Sequence, residues 1–295
     1  MVIEKYVENY KTQYEYHEAI SKLVAGKLED CFETSGIRAI VTFRAKSPSR
    51  LLEKIKKRNV DKKYTDFSEI DDDIVDLAGV RVALYFPNDL EHVEKIIRSK
   101  FNIIKEKSFP ENNKIEGKIF LGYKAKHFRV SLKNEGGVND RYLKAKIEIQ
   151  VASVLMHAWS EVEHDLIYKK YQGEVSKEEK KILDELNGLV LAGELALERL
   201  KDAEINRIEK QKTISNKYQL STVLQEFFNK VTYSSNLLLG DMDRLFNRLT
   251  LSNLNTYDEI QKIILNSDRI KLTKNPKSLA NSLENSIDEM QKNKK

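Results

Sequence analysis

Two carboxylates and a set of cations are the residues whose types and spacing could do chemistry in this chain. Asp76 stands just before the apolar run LAGVRVALYF (77–86), and Glu148 sits inside KAKIEIQV (144–151). With the two-residue period of a strand, Ile147, Ile149 and Val151 face one side. Lys144, Lys146, Glu148 and Gln150 face the other. In the same way Val80, Val82, Leu84 and Phe86 turn inward, while Arg81 points the opposite way. Carboxylates at strand ends beside lysines and arginines are the parts of a magnesium-dependent phosphoryl-transfer site. Mg²⁺ takes hard oxygen ligands, commonly one or two carboxylates with water and phosphate completing the shell. Nearby cations offset charge on phosphate oxygens in the transition state. The plainer reading of the same residues is surface salt bridges on a charged domain.

The elements that must position these groups can be read from pattern. Residues 1–33 place Val7, Tyr10, Tyr14, Ile20, Leu23, Val24 and Leu28 at helical spacing, which predicts one long amphipathic helix. After Gly36, GIRAIVTFRA is β-branched enough for a strand, and Ser47-Pro48-Ser49 opens a helix through LLEKIKKR. GVRVALYF (79–86) is the clearest strand, stopped by Pro87-Asn88-Asp89; a helix over 89–100 and a short strand near Phe101–Ile104 follow. Two further strands are expected within 118–131 and 142–151, separated by the turn-forming KNEGGVND. Strands alternating with helices predict an α/β or α+β domain with a mixed sheet. From 152 onward the pattern is helical, with one or two long helices over 177–212. The composition shifts after Thr213, so the expected domains are 1–216 and a helical appendage over 217–295.

Composition narrows the class. A hydrophobic share of 40% beside 33% charged residues excludes a disordered chain, and no apolar run reaches the roughly 18–20 residues of a membrane span. The acidic, tyrosine-rich start MVIEKYVENY does not read as a signal peptide, so a cytoplasmic location is expected. One cysteine, Cys31, excludes an intramolecular disulfide. The net charge of +5 is unevenly spread. RAKSPSRLLEKIKKR (44–58) and GYKAKHFR (122–129) are basic, and DFSEIDDDIVD (66–76) between them is acidic. Bases beside acids suit a polyanionic substrate held with a divalent cation; solvated helix faces are the bland alternative.

Five motifs in one order carry a more specific signal. Arg44-Ala45-Lys46 with Ser49 and Lys54 comes first, then Asp76-Leu77-Ala78-Gly79-Val80-Arg81, then Gly122-Tyr123 with His127. Glu148-Ile149-Gln150 follows, then Trp159 with Glu163-His164 and Tyr168-Lys169. Over roughly 35–170 the chain resembles the RelA/SpoT family, in particular the synthetase domain of small alarmone synthetases. Strand pattern and resemblance together make the expected fold α+β, a mixed five-stranded sheet flanked by helices. The resemblance implies a pyrophosphokinase that moves the β,γ-pyrophosphate of ATP to the ribose 3′-hydroxyl of GDP or GTP, giving (p)ppGpp and AMP. It implies that Arg44, Lys46, Ser49, Lys54 and Arg81 hold ATP and that Asp76 and Glu148 are catalytic and carry Mg²⁺. On the acceptor side it implies Tyr123 stacked on the base, His127 near the phosphates or ribose, and Gln150, Glu163 and His164 around them.

The acceptor half departs from the family pattern. A lysine and an asparagine commonly precede the Gly-Tyr pair; here Phe120 and Leu121 do, leaving Lys118 as the one substitute. Val151-Ala152-Ser153 stands where an arginine–threonine pair is common after Glu-Ile-Gln. Transfer to the 3′ end of tRNA, with Lys118, Lys124, Lys126 and Arg129 along an RNA backbone, is the first alternative. A nucleotide-binding regulatory domain without catalysis is the second. A homo-oligomer is compatible with either. His157, Glu161 and His164 fall on one helix face, where a transition metal could be ligated; the resemblance puts that helix beside the nucleotide instead. Trp159 and Met156 read as core.

Overall fold

The computed structural model describes residues 2–110, 120, 122–137, 139–168, 175–230, 238–266 and 278–292. The chain divides into two compact units. The first comprises 1–29, 40–84 and 98–191; the second comprises 30–39, 85–97 and 192–295.

A five-stranded mixed sheet organises the first unit, in the order β1-β2-β5-β4-β3. Its strands are β1 (Ala39–Ala45), β2 (Ala78–Leu84), β3 (Phe101–Phe109), β4 (Ala125–Leu132) and β5 (Ile147–Ser153). β2 and β5 run parallel, whereas β4 is antiparallel to both β5 and β3. One face is apolar: Val80, Val82, Phe128, Val130, Ile147, Ile149 and Val151 are all buried. The alternate residues of the central strands, Arg81, His127, Arg129, Glu148 and Gln150, stay half-buried on the other face.

β3 is longer than the sequence suggests. Its outer half, Lys105-Glu106-Lys107, is charged and exposed, which hides a strand from hydrophobic periodicity but suits a sheet edge that must not recruit another chain. β4 starts at Ala125, later than expected. Before β5, Asp140–Leu143 makes a short helix, its first turn capped by Asn139, whose side chain accepts from Arg141 N–H at 2.9 Å.

The N-terminal helix is broken in two, α1 (Val2–Thr12) and α2 (Tyr14–Thr34). At Gln13 the ladder tightens: its N–H donates to Tyr10 C=O at 2.9 Å, three residues back rather than four. Two further helices, α3 (Pro48–Lys62) and α4 (Phe67–Asp73), pack with α1. Tyr6, Val7 and Tyr10 meet Leu51, Ile55, Ile70 and Ile74 in one cluster. Fully burying Leu51 and Ile55 contributes roughly 1.5–3 kcal/mol each.

In the second unit α5 begins at Leu90 and ends at Lys100 in the first. Likewise α8 (Lys177–Gln211) starts in the first unit and ends in the second. Before α8 come α6 (Asp140–Leu143) and α7 (Val154–Glu163). The remaining helices are α9 (Lys217–Lys230), α10 (Met242–Leu251), α11 (Tyr257–Asn266) and α12 (Leu279–Lys292). Leu220, Leu224, Met242, Leu245, Ile260 and Ile287 are almost fully buried among them. No helix among the described residues is long and apolar enough to cross a membrane.

Candidate active site

The strand register assembles the site. On the polar face Gly79 lies opposite Glu148 and Arg81 opposite Gln150, while His127 and Arg129 lie opposite Gln150 and Glu148 on the other side. One cavity is lined by Thr42, Phe43 and Arg44 of β1, Asp76, Gly79 to Arg81 of β2, and Glu148 and Gln150 of β5. It therefore gathers both predicted carboxylates and both predicted arginines.

Asp76 is held by two lysines. Lys46 Nζ donates to Oδ2 at 2.6 Å and Lys54 Nζ to Oδ1 at 2.8 Å. Burial alone would raise the Asp76 pKa, but Lys54 and Lys46 together bring it down to about 2. Lys46 follows β1 in the turn that Ser47 caps and Pro48 opens into α3. Its backbone is pinned twice: its N–H donates to Leu77 C=O at 2.9 Å, and its C=O accepts from the Tyr10 hydroxyl at 2.6 Å. Ser49 is exposed in the first turn of α3, with its Oγ 3.3 Å from that of Ser47. Arg44 is depressed below the usual guanidinium range by burial and by Arg81. Among the described residues it has no ion-pair partner within 4 Å. Arg81 pairs with Glu161 of α7, a contact between distant elements that sequence reasoning did not assign.

Glu148 accepts from Gln150 Nε2 at 2.9 Å and lies 3.6 Å from His127 Nδ1. Burial raises its pKa, yet His127 and Gln150 outweigh that and hold it below the ordinary value, while the charge of Asp76 opposes them. Two ionised carboxylates that feel each other across one cavity fit a divalent cation. Among the described residues no group of three or more His, Cys, Asp or Glu could hold a metal. A cation here would complete its shell with water and phosphate, as Mg²⁺ does.

Beyond Glu148 lies an aromatic corner. Tyr123 Oη is 3.4 Å from His127 Nε2, and Phe109 at the end of β3 stands 4.7 Å from the His127 ring and 5.9 Å from that of Tyr123. Phe109 was missed because the strand that delivers it was read too short. Tyr123 also packs on the cluster of Ala125, Ala152, Met156 and Trp159, and burial pushes its hydroxyl up to about 12. Trp159 and Met156 are thus core residues. Glu163 and His164 close α7 and do not line the cavity; His164 is exposed. The register puts Lys126 on the sheet face opposite to Arg129. Lys118, Leu121, Lys169 and the Tyr168 side chain lie outside the described residues.

His157 turns away from any metal role: its Nε2 sits 3.1 Å from Val82 C=O, and burial lowers its pKa to about 4. His17 is lowered to about 4 in the same way. Both therefore bind a proton more readily when unfolded, at about 6.5. Their contribution to stability is complete above that value and is lost as pH falls towards 4, at up to about 1.4 kcal/mol per pH unit for each histidine. Thermal melts between pH 7 and 4.5 check this. Replacing His157 by Gln should flatten the dependence by about one proton, and an unchanged slope would refute its neutrality.

Residues 43–173 match the family model described as the region found in RelA / SpoT proteins. This segment contains every candidate residue from Arg44 to His164. The chain is 25% identical over 142 residues to the GTP pyrophosphokinase YjbM of Bacillus subtilis, covering 48% of this chain and 61% of that protein. It is 27% identical over 103 residues to the GTP pyrophosphokinase YwaC of the same organism, covering 34% and 46%. The matched segment therefore spans less than two thirds of either relative. A GTP pyrophosphokinase family protein from Streptococcus pneumoniae shares the fold, with a TM-score of 0.54 and 23% identity over 66% of this chain and 94% of that one.

Proposed function

We propose that this chain is a Mg²⁺-dependent pyrophosphokinase that transfers the β,γ-pyrophosphate of ATP to the ribose 3′-hydroxyl of GDP or GTP. The observation that carries the reading is the shared cavity of Asp76, Glu148, Arg44 and Arg81 within the segment that matches the RelA/SpoT model. Two curated relatives, each named a GTP pyrophosphokinase, support the reaction class.

The 3′-hydroxyl oxygen attacks the β-phosphorus of ATP and gives up its proton to solvent; the bond from that phosphorus to the α,β-bridging oxygen breaks, and AMP leaves with the oxygen. Asp76 and Glu148 would hold the metal, which would neutralise charge on the transferred phosphates. Arg44 and Arg81 can fork onto phosphate oxygens. Lys46 and Lys54 engage both Asp76 oxygens, so their ammonium groups stand beside the carboxylate that would hold the metal. Tyr123 offers the acceptor base an apolar ring face beside His127 and Phe109.

The test is full-length protein with Mg²⁺ and γ-labelled ATP, offered GDP, GTP and bulk tRNA in parallel. Label on GDP or GTP with AMP released is expected; label on tRNA alone, or on no acceptor, would overturn the reading. Within this scheme Glu161 competes with phosphate for Arg81. Glu161→Gln should lower the KM for ATP by about two- to five-fold, since a partly exposed pair is worth about 0.5–1 kcal/mol. Initial rates against ATP concentration decide it, and an unchanged KM would remove Glu161 from the account.

A further inference from the structure

Phe120 and Gly122, which lead to Tyr123, are seated on α8. Phe120 N–H donates to Asp184 Oδ1 at 3.3 Å and Gly122 N–H to Asn187 Oδ1 at 3.2 Å. Gly188 completes the seat. A Cβ built there would lie 2.5 Å from Phe120 Cζ and 2.6 Å from Cε2, so the ring rests directly on the helix backbone. Asp184, Asn187 and Gly188 fall at i, i+3 and i+4, one face of the helix. Asn187 is 1% exposed, and a side chain so deeply buried is fixed rather than adaptable. Two and three residues beyond Gly188, Val190 and Leu191 pack on the cluster that Tyr123 joins.

We propose that Asp184, Asn187 and Gly188 are positioning residues for the acceptor: α8 docks Phe120 and Gly122 and so fixes the Tyr123 ring beside His127. This rests on the reading of the site as a guanosine-nucleotide acceptor pocket. It also gives a role to Phe120. Phe120 and Gly122 are held to α8 by ring shape and two backbone donors.

Gly188→Ala tests it with an inverted sign. Alanine ordinarily stabilises a helix interior relative to glycine, so a loss must come from the displaced ring. Two readouts separate docking from function. The first is amide hydrogen exchange of the nucleotide-free protein. Exchange at Phe120 and Gly122 should rise ten-fold or more in Gly188→Ala and fall back towards wild type in the Phe120→Ala/Gly188→Ala double variant. The second is kinetic: the acceptor KM should rise about ten-fold in Gly188→Ala, with the ATP KM unchanged, and the double variant should be better than the single one. Unchanged exchange in Gly188→Ala would overturn the docking. Faster exchange with an unaltered acceptor KM would overturn the positioning role. Wild-type protein that turns over no guanosine acceptor, with the exchange result intact, would instead fault the assigned function and leave the docking standing.

Discussion

Glu148→Gln is expected to lower pyrophosphoryl transfer on the order of 10²–10³-fold while leaving the melting temperature close to wild type. The replacement keeps the shape and keeps an oxygen that can accept from Gln150, which now donates at 2.9 Å. What it removes is the negative charge that the cavity shares between Glu148 and Asp76. Asp76→Asn should behave differently. Its carboxylate neutralises Lys46 and Lys54, and its pKa of about 2 against 3.8 corresponds to about 2 kcal/mol of folding stability. That stabilisation is present above about pH 4 and disappears as pH falls through about 2. Asp76→Asn should therefore lose rate and stability together. Steady-state rates with parallel melts distinguish the two variants, and full activity in Glu148→Gln would sink the catalytic assignment.

The second large effect lies in the second unit. Lys201 and Asp89 form an ion pair at 2.5 Å with side chains only 8% and 4% exposed. Lys201 also donates to Gln225 Oε1 at 2.7 Å, and Gln225 reaches Ser221, whose hydroxyl donates to Ser35 C=O at 3.0 Å. Lys201→Met strands a buried carboxylate, which costs about 3–5 kcal/mol. Pairing it with Asp89→Asn should restore most of the loss, because an uncharged amide in that place no longer demands a cation. Calorimetry of the single and double variants checks this; a single variant as stable as wild type would mean that water reaches Asp89.

Much of the sheet was legible because burial and period agree. Ile147, Ile149 and Val151 alternate with Glu148 and Gln150, and the structure keeps that division. The motifs located the cavity for the same reason: Asp76, Arg81 and Glu148 sit at places fixed by strands. What sequence reasoning missed depends on partners far apart in the chain. The Arg81–Glu161 pair joins a strand to a helix. Phe109 was lost with the charged half of β3. The seat on α8 left one faint signal, Gly188, one of two glycines inside the helical pattern; such a glycine often means that something approaches the backbone closely. Gln13 carries no breaker residue, so the interruption between α1 and α2 could not be read from composition.

The parallel register of β2 and β5 has a consequence for how errors are tolerated. Sliding β5 by one residue would drive Glu148 and Gln150 into the apolar layer and send Ile147 and Ile149 to solvent. A misaligned strand is thus penalised by the hydrophobic effect before any nucleotide arrives. The core acts as a proofreader for the chemistry, so a population of well-folded but misregistered molecules should not accumulate. Single-residue insertions or deletions in β5 would be lethal to structure and activity alike, whereas point changes on its polar face can alter the reaction and leave the scaffold standing.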